Sequence, residues 1–538
     1  SSPTATTTFA GSGDVVTVSG TVEAASLAVD SPGYSFQGGT ISLANATVTV
    51  NTASTSIASV LAGSAGLVKS GTGSLSLSGV NTYVGLTNLT AGRLFIASDA
   101  ALGAAANDLA IAGTLATTAN ISLGSGRDLT GAATLDIAAG TTLTVAGSSG
   151  LSATTLVNSG TLDLQGATRA VGTLTFGTAA TVNGSGAISL ASLSATAVTS
   201  GTALIAPSIA FTSNGNKTVE VGSGGTLVLN GDVAGTTGRI AKSGAGTLIV
   251  TGSNSTSGYQ LGVSGTTPTN GGTLVLNSAA ASGTAQLQLN VGTLQSTGSF
   301  TFANGLSIGG RTNGLAVLGG TNAMTFSGTS NFFRGTNTTG ELRLDVNNQT
   351  TLAGTIVATG GSGTASGITL GGIGALTING DASLLVDAIT LQDTLDLLIG
   401  GTLGSAVTVA ASNAIGGDGT ILGSLSLNSG AGFIFDATKT LTVNGTSVSF
   451  GGFGISDLIG FSAAVPDGSY TLIDGLATIN TANLQNLGLE NAVDLGGGRS
   501  AYFTEGSLVL QVVPEPSAFV LAGLGVALAA AHRLRRRV

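Results

Sequence analysis

The chain has 538 residues, of which 8% are charged and 87 are glycine; average soluble domains carry about 25% charge and about 7% glycine. There is no Cys or Trp, one Met, one His and 7 Pro, and the formal net charge is −9. Glycine without a three-residue period excludes collagen, the missing Cys excludes a disulfide scaffold, and plentiful β-branched and aliphatic residues at low charge speak against disorder.

The single His is His532, close to the C-terminus. The body therefore cannot run Ser-His-Asp chemistry or hold a His-ligated metal, and no cofactor or metal site is expected. Four of the 16 basic residues are Arg533, Arg535, Arg536 and Arg537, which leaves 12 basic against 25 acidic residues elsewhere. An acidic body without basic stripes argues against nucleic-acid binding.

In chain order, Ser1 opens the sequence without Met or an apolar leader, which reads as a removed signal peptide or a fragment. Ala46-Thr47-Val48-Thr49-Val50 alternates as a strand does. A Gly-Thr-Leu triplet recurs at Gly113, Gly160, Gly172, Gly225, Gly246, Gly272, Gly292 and Gly401, with several spacings close to twenty residues. Gly, Ser and Asn punctuate the short strands, and helical periodicity is nearly absent; one short helix is expected near 481–487. A period of this size marks a repeat architecture. The expected fold is all-β, a right-handed parallel β-solenoid (β-helix) over 1–450, with a solenoid cap over 451–513 and a single hydrophobic helix in the C-terminal segment 514–538. At about 22 residues per coil, roughly 23 coils precede the tail.

Two segments carry a longer motif. Gly66-Leu67-Val68-Lys69-Ser70-Gly71-Thr72-Gly73-Ser74-Leu75-Ser76-Leu77-Ser78-Gly79-Val80-Asn81-Thr82-Tyr83 runs on to Gly92-Arg93-Leu94, and Lys242-Ser243-Gly244-Ala245-Gly246-Thr247-Leu248 continues to Asn254 and Gly271-Gly272-Thr273-Leu274. These segments, near 66–94 and 238–274, resemble the autotransporter-associated β-strand repeat of secreted bacterial passenger proteins, and the resemblance implies a β-helical passenger. One of Leu75 and Leu77 is expected to face the lumen. Lys69 and Lys242 hold equivalent positions and read as solvent-facing corner residues. The five tyrosines, Tyr34, Tyr83, Tyr259, Tyr470 and Tyr502, are too scattered for a sugar-stacking platform and read as core or corner packing.

Asp387, Asp393 and Asp396 form the densest acidic group. On a solenoid face such carboxylates could bind Ca²⁺ or cleave a glycoside, but no Arg or Lys lies within 40 residues on either side, and they read as solvated edge charges. Gly416-Gly417-Asp418-Gly419 reads as a turn.

The chain ends in Pro514-Glu515-Pro516, an uncharged run over 518–531, and the Arg533, Arg535, Arg536, Arg537 cluster. As a helix the run would span about 21 Å, short of a permanent membrane crossing. The three parts in this order resemble the PEP-CTERM sorting signal of Gram-negative bacteria. That resemblance implies an exosortase-type processing enzyme acting at or near Pro514-Glu515-Pro516. It also implies transient inner-membrane anchoring through 518–531, with the Arg cluster as a cytoplasmic stop. The protein is then expected at the cell surface or in the extracellular matrix. The expected function is non-enzymatic, structural or adhesive, with exopolysaccharide as a possible partner; the alternative is a β-helical polysaccharide lyase or glycoside hydrolase.

Overall fold

The computed structural model describes residues 5–515 apart from 52–53, 133, 147–150, 167, 178, 263–269, 311–313, 335–341 and 360–366, with the backbone alone for 151–156, 310 and 333–334. The chain divides into two compact units, Ser1–Leu287 with Val291–Thr297, and Gln288–Asn290 with Gly298–Val538. Both are parallel β-solenoids, together about 20 turns among the described residues. The count falls below one turn per 22 residues because some turns carry insertions: strand Thr247–Val250 is followed in its sheet by Thr273–Leu276, 26 residues on.

In the first unit, alternation sets which side chain goes inside. In Thr226–Leu229, Thr247–Val250 and Thr273–Leu276 the Leu points into the lumen and the Thr outward. The strands pair in parallel register, so Leu227, Leu248, Leu274 and Leu294 stack directly, each fully buried. Burying a Leu stabilises by about 1.5–3 kcal/mol, and the ladder repeats that gain at each turn. Outside, Thr226, Thr247, Thr273 and Thr293 form the matching rank. Glycine precedes the Thr because the corner demands it. Gly272 has φ +58°, and a Cβ there would stand 2.3 Å from the Gly246 carbonyl oxygen.

A second sheet of this unit stacks Ser54–Ile57, Ser74–Leu77, Arg93–Ile96, Thr114–Thr117 and Thr134–Ile137. Leu75, Leu94, Leu115 and Leu135 share one buried column. Leu77 is buried too, so both leucines face the lumen rather than one. Residues two apart on a strand share a face.

In the second unit, Phe300–Phe302, Met324–Phe326, Gln349–Leu352, Ala375–Ile378, Asp396–Ile399 and Ala414–Gly417 stack in parallel. The Phe302 and Phe326 rings stack inside, centroids 5.3 Å apart. Among the described residues, antiparallel pairing occurs in Gly468–Asp474, Val493–Asp494, Arg499–Thr504 and Leu508–Pro514. There the chain reverses at Gly506 (φ +94°) and ends the parallel stack in a hairpin.

No α-helix occurs among the described residues; four single 3₁₀ turns do, at Asp99–Leu102, Ala279–Ser282, Ile455–Asp457 and Leu489–Asn491. The helix expected near 481–487 is instead a turn closed by the Leu484 N–H on the Thr481 carbonyl at 3.0 Å. No helix among the described residues is long and apolar enough to cross a membrane. The expected hydrophobic helix over 518–531 lies outside the described residues.

Candidate functional site

The two repeat lysines are not solvent-facing. Lys69 lies on Leu67–Ser70 at an inward position and Lys242 on Ile240–Ser243, where every residue is buried; both are 0% exposed. Lys69 Nζ donates to the Ser70, Gly71 and Ala91 carbonyls at 2.8, 2.8 and 3.2 Å. Lys242 Nζ repeats this on Ser243, Gly244 and Gly271 at 2.8, 2.7 and 3.0 Å. Two acceptors come from the lysine's own corner and the third from the next turn, so each ammonium ties consecutive coils together. Burial pushes both lysines down to about 8. The carbonyls act the other way, since only the ammonium form has three N–H donors. An enclosed, fully engaged ammonium is a clamp, not a nucleophile.

The motif also extends further than its sequence match. Asn81 N donates to the Ala100 carbonyl at 3.0 Å and Asn254 N to the Ala280 carbonyl at 2.9 Å, each meeting a 3₁₀ turn that ends at a positive-φ glycine, Gly103 or Gly283. Ser98-Asp99-Ala100-Ala101-Leu102-Gly103 against Ser278-Ala279-Ala280-Ala281-Ser282-Gly283 was the signal for it. Two further corners of this kind lie in the second unit at Ile368–Gly371 and Ala414–Gly417, before Gly372-Ile373-Gly374 and Gly417-Asp418-Gly419. There Leu370 and Ile415 take the lysine's place. Of the turn expected at Gly416-Gly417-Asp418-Gly419, Gly416 and Gly417 (φ +116°) still belong to the strand Ala414–Gly417, and the bend falls at Asp418-Gly419. Tyr83 and Tyr259 are buried, as packing residues should be. Burial pushes Tyr83 up to about 12, and Tyr259 is also raised by burial, with the Asn254 side chain beside it acting the other way.

Of the acidic trio, Asp393 is exposed and held in an ion pair, while Asp387 and Asp396 are half-buried. Arg343 donates to Asp345 at 2.8 and 3.3 Å, to Asp393 at 3.0 Å and to Gln392 at 3.3 Å. The Gly372 amide also donates to Asp393 at 3.0 Å. Asp345 pairs in register with Gly371, where a Cβ would stand 2.6 Å from Asp393 Oδ2, so glycine lets the carboxylates close on the strand. One guanidinium thus bridges two carboxylates brought from different turns, leaving one negative charge in excess. Asp396 opens the strand Asp396–Ile399, with its carboxyl raised by burial. Among the described residues no group of three or more His, Asp or Glu side chains could hold a metal ion.

At the end of the described chain, Pro514 closes the strand Leu508–Pro514 opposite Arg499, and Glu515 N donates to the Gly498 carbonyl at 2.7 Å. Val513 and Pro514 are therefore paired into the last sheet. Both Pro514 and Glu515 are exposed. Pro516, the run 518–531 and Arg533, Arg535, Arg536 and Arg537 lie outside the described residues.

On the outer face of the first unit, Ser35, Ser56, Ser76 and Phe95 fall in one rank across four strands. They line a groove of about 390 Å³ with Tyr34. Tyr34 is set by an edge contact with Phe9 (5.4 Å) and by its hydroxyl on the Ala10 carbonyl at 3.1 Å. Phe95 is set by the Arg93 guanidinium, 4.7 Å from its centroid, and Arg93 pairs with Asp136. Sequence reasoning passed over this rank. Its signal was Ser54-x-Ser56, Ser74-x-Ser76 and Arg93-x-Phe95 at twenty-residue spacing.

Over 109 residues the chain is 43% identical to the adhesin BmaC autotransporter of Brucella suis biovar 1 (strain 1330). That stretch is 20% of this chain and 3% of the adhesin's length, so the chain matches a small part of that protein. No family model matches the chain. No solved structure matches it.

Proposed function

We propose that this chain is an exported, non-enzymatic β-solenoid protein of a Gram-negative cell surface, with a structural or adhesive role in the extracellular polysaccharide matrix. The observation that carries the reading is 43% identity to an adhesin autotransporter over 109 residues, on a chain whose fold is a parallel β-solenoid. The outer ranks of Thr and Ser support it, because regularly spaced neutral hydroxyls suit repeated weak contacts with a glycan. The Arg343 cluster supports a scaffold over a hydrolase, since the guanidinium holds Asp345 and Asp393 as its ion-pair partners, whereas glycoside cleavage needs one carboxyl kept protonated beside an ionised partner. The coil is right-handed, the hand that parallel crossovers overwhelmingly take.

In this reading the tail sorts the protein. Residues 518–531 hold it briefly in the inner membrane, Arg533, Arg535, Arg536 and Arg537 stop it on the cytoplasmic side, and an exosortase-type enzyme cleaves near Pro514-Glu515-Pro516. Exposure of Pro514 and Glu515 at the end of the last strand suits access by such an enzyme. The test is protease shaving of intact cells together with mass spectrometry of the C-terminal peptide. Full-size protein held in the cytoplasm would refute the surface role. Surface protein still ending at Val538 would refute the sorting step alone.

A further inference from the structure

The groove between Tyr34 and Phe95 has a built floor and two built walls. Ser35, Ser56 and Ser76 stand in register on three successive strands, half-buried and outward, with Phe95 the next in the rank. Three strand spacings make this rank about 14 Å long. Ser56 Oγ donates to Ser35 Oγ at 2.9 Å, while the Ser74 and Ser76 hydroxyls make no hydrogen bond among the described residues. Tyr34 and Phe95 stand half-buried at opposite ends, each fixed by its own packing. Below the floor, the Thr55 hydroxyl is buried without a partner among the described residues.

The geometry points to a binding site for a short stretch of neutral glycan, lying along the serine rank with sugar rings against Tyr34 and Phe95. Aromatic faces attract the apolar C–H face of a pyranose, and serine hydroxyls serve as both donor and acceptor, which matches sugar hydroxyls. No charged side chain lines the groove. The adjacent cation, Arg93, is held by Asp136, so an acidic glycan would find no free counter-charge. An extended peptide is disfavoured because the floor is a sheet face whose strands are paired on both sides, leaving no edge for strand addition. This inference rests on the surface-matrix reading and names the ligand class for it.

The test is isothermal titration of the purified chain with neutral cello-, laminari- and malto-oligosaccharides and with acidic alginate and polygalacturonate oligomers. Phe95→Ala removes one wall, and Ser76→Tyr fills the floor. Both positions face outward, and circular dichroism checks the fold of each variant. Thr247→Lys, on the other sheet, is the control. The expected result is binding of a neutral oligomer that falls at least tenfold in both groove variants and is unchanged in the control. No neutral binding, tighter acidic binding, or binding indifferent to both substitutions would overturn the inference. Shaving of intact cells carrying the wild-type chain separates the two readings. Surface display together with oligosaccharide binding unchanged by Phe95→Ala sinks the groove and leaves the surface role standing, whereas absence of the wild-type chain from the surface sinks the surface role itself.

Discussion

Lys242→Met tests whether the buried ammonium closes the repeat corner. Met keeps an apolar stem in the same space and removes the charge. The Gly244 and Gly271 carbonyls, which accept from Lys242 Nζ at 2.7 and 3.0 Å, have no other donor among the described residues. A buried carbonyl left without a donor costs about 1–3 kcal/mol; Gly271 is buried and Gly244 half-buried, so the pair costs about 2–5 kcal/mol. Removing a desolvated ammonium returns part of this, and the net loss expected is about 2–3 kcal/mol. A stacked repeat array opens locally, so a single melting temperature is a poor reporter. Hydrogen exchange read by mass spectrometry over 240–250 and at Gly262, whose amide donates to the Lys242 carbonyl at 3.0 Å, is the suitable assay. Exchange there should speed up by about 30- to 150-fold, the equivalent of 2–3 kcal/mol. Unchanged exchange would refute the clamp. It would mean that packing of the stem closes the corner, as Leu370 does in the second unit.

The same lysines predict a pH response. Their folded-state value of about 8 lies below the ordinary 10.5, so between these values the unfolded chain holds more protons and stability rises with pH. Tyr83, raised from 10 to about 12, works in the opposite sense above pH 10, so denaturation midpoints should climb from pH 8 to about 10 and then fall. A Lys69→Met, Lys242→Met double variant should lose the climb and keep the fall. Leu75→Asp and Leu77→Asp should each destabilise on the order of 4 kcal/mol, since both side chains are fully buried, while Ser76→Asp on the outer face should cost little in urea titration. Arg343→Met leaves Asp345 and Asp393 facing each other unpaired. These groups are partly exposed, so the loss should be about 1 kcal/mol, shrinking in high salt.

Much of the fold is local and was legible. Thr-Leu-Val-Leu at 273–276 alternates, its Leu must leave water, and recurrence every twenty-odd residues puts each Leu above the last. The Gly before it is needed by a corner that only a residue without a Cβ can turn. Side chains whose partners come from another coil were not legible. Lys242 beside Gly looks like a surface corner, because charge in a short window reads as exposure. Only stacking brings the Gly271 carbonyl, 29 residues on, within 3.0 Å of its ammonium. Arg343 lies 50 residues from Asp393 in sequence and 3.0 Å away in space. The groove is of the same kind: Ser35 and Phe95 are far apart along the chain and become two ends of one rank once the coils are in register. A solenoid's local pattern determines which face each residue takes. Which residues meet along the stack depends on the number of residues in each intervening turn, and that is settled only when the backbone hydrogen bonds of successive coils lock.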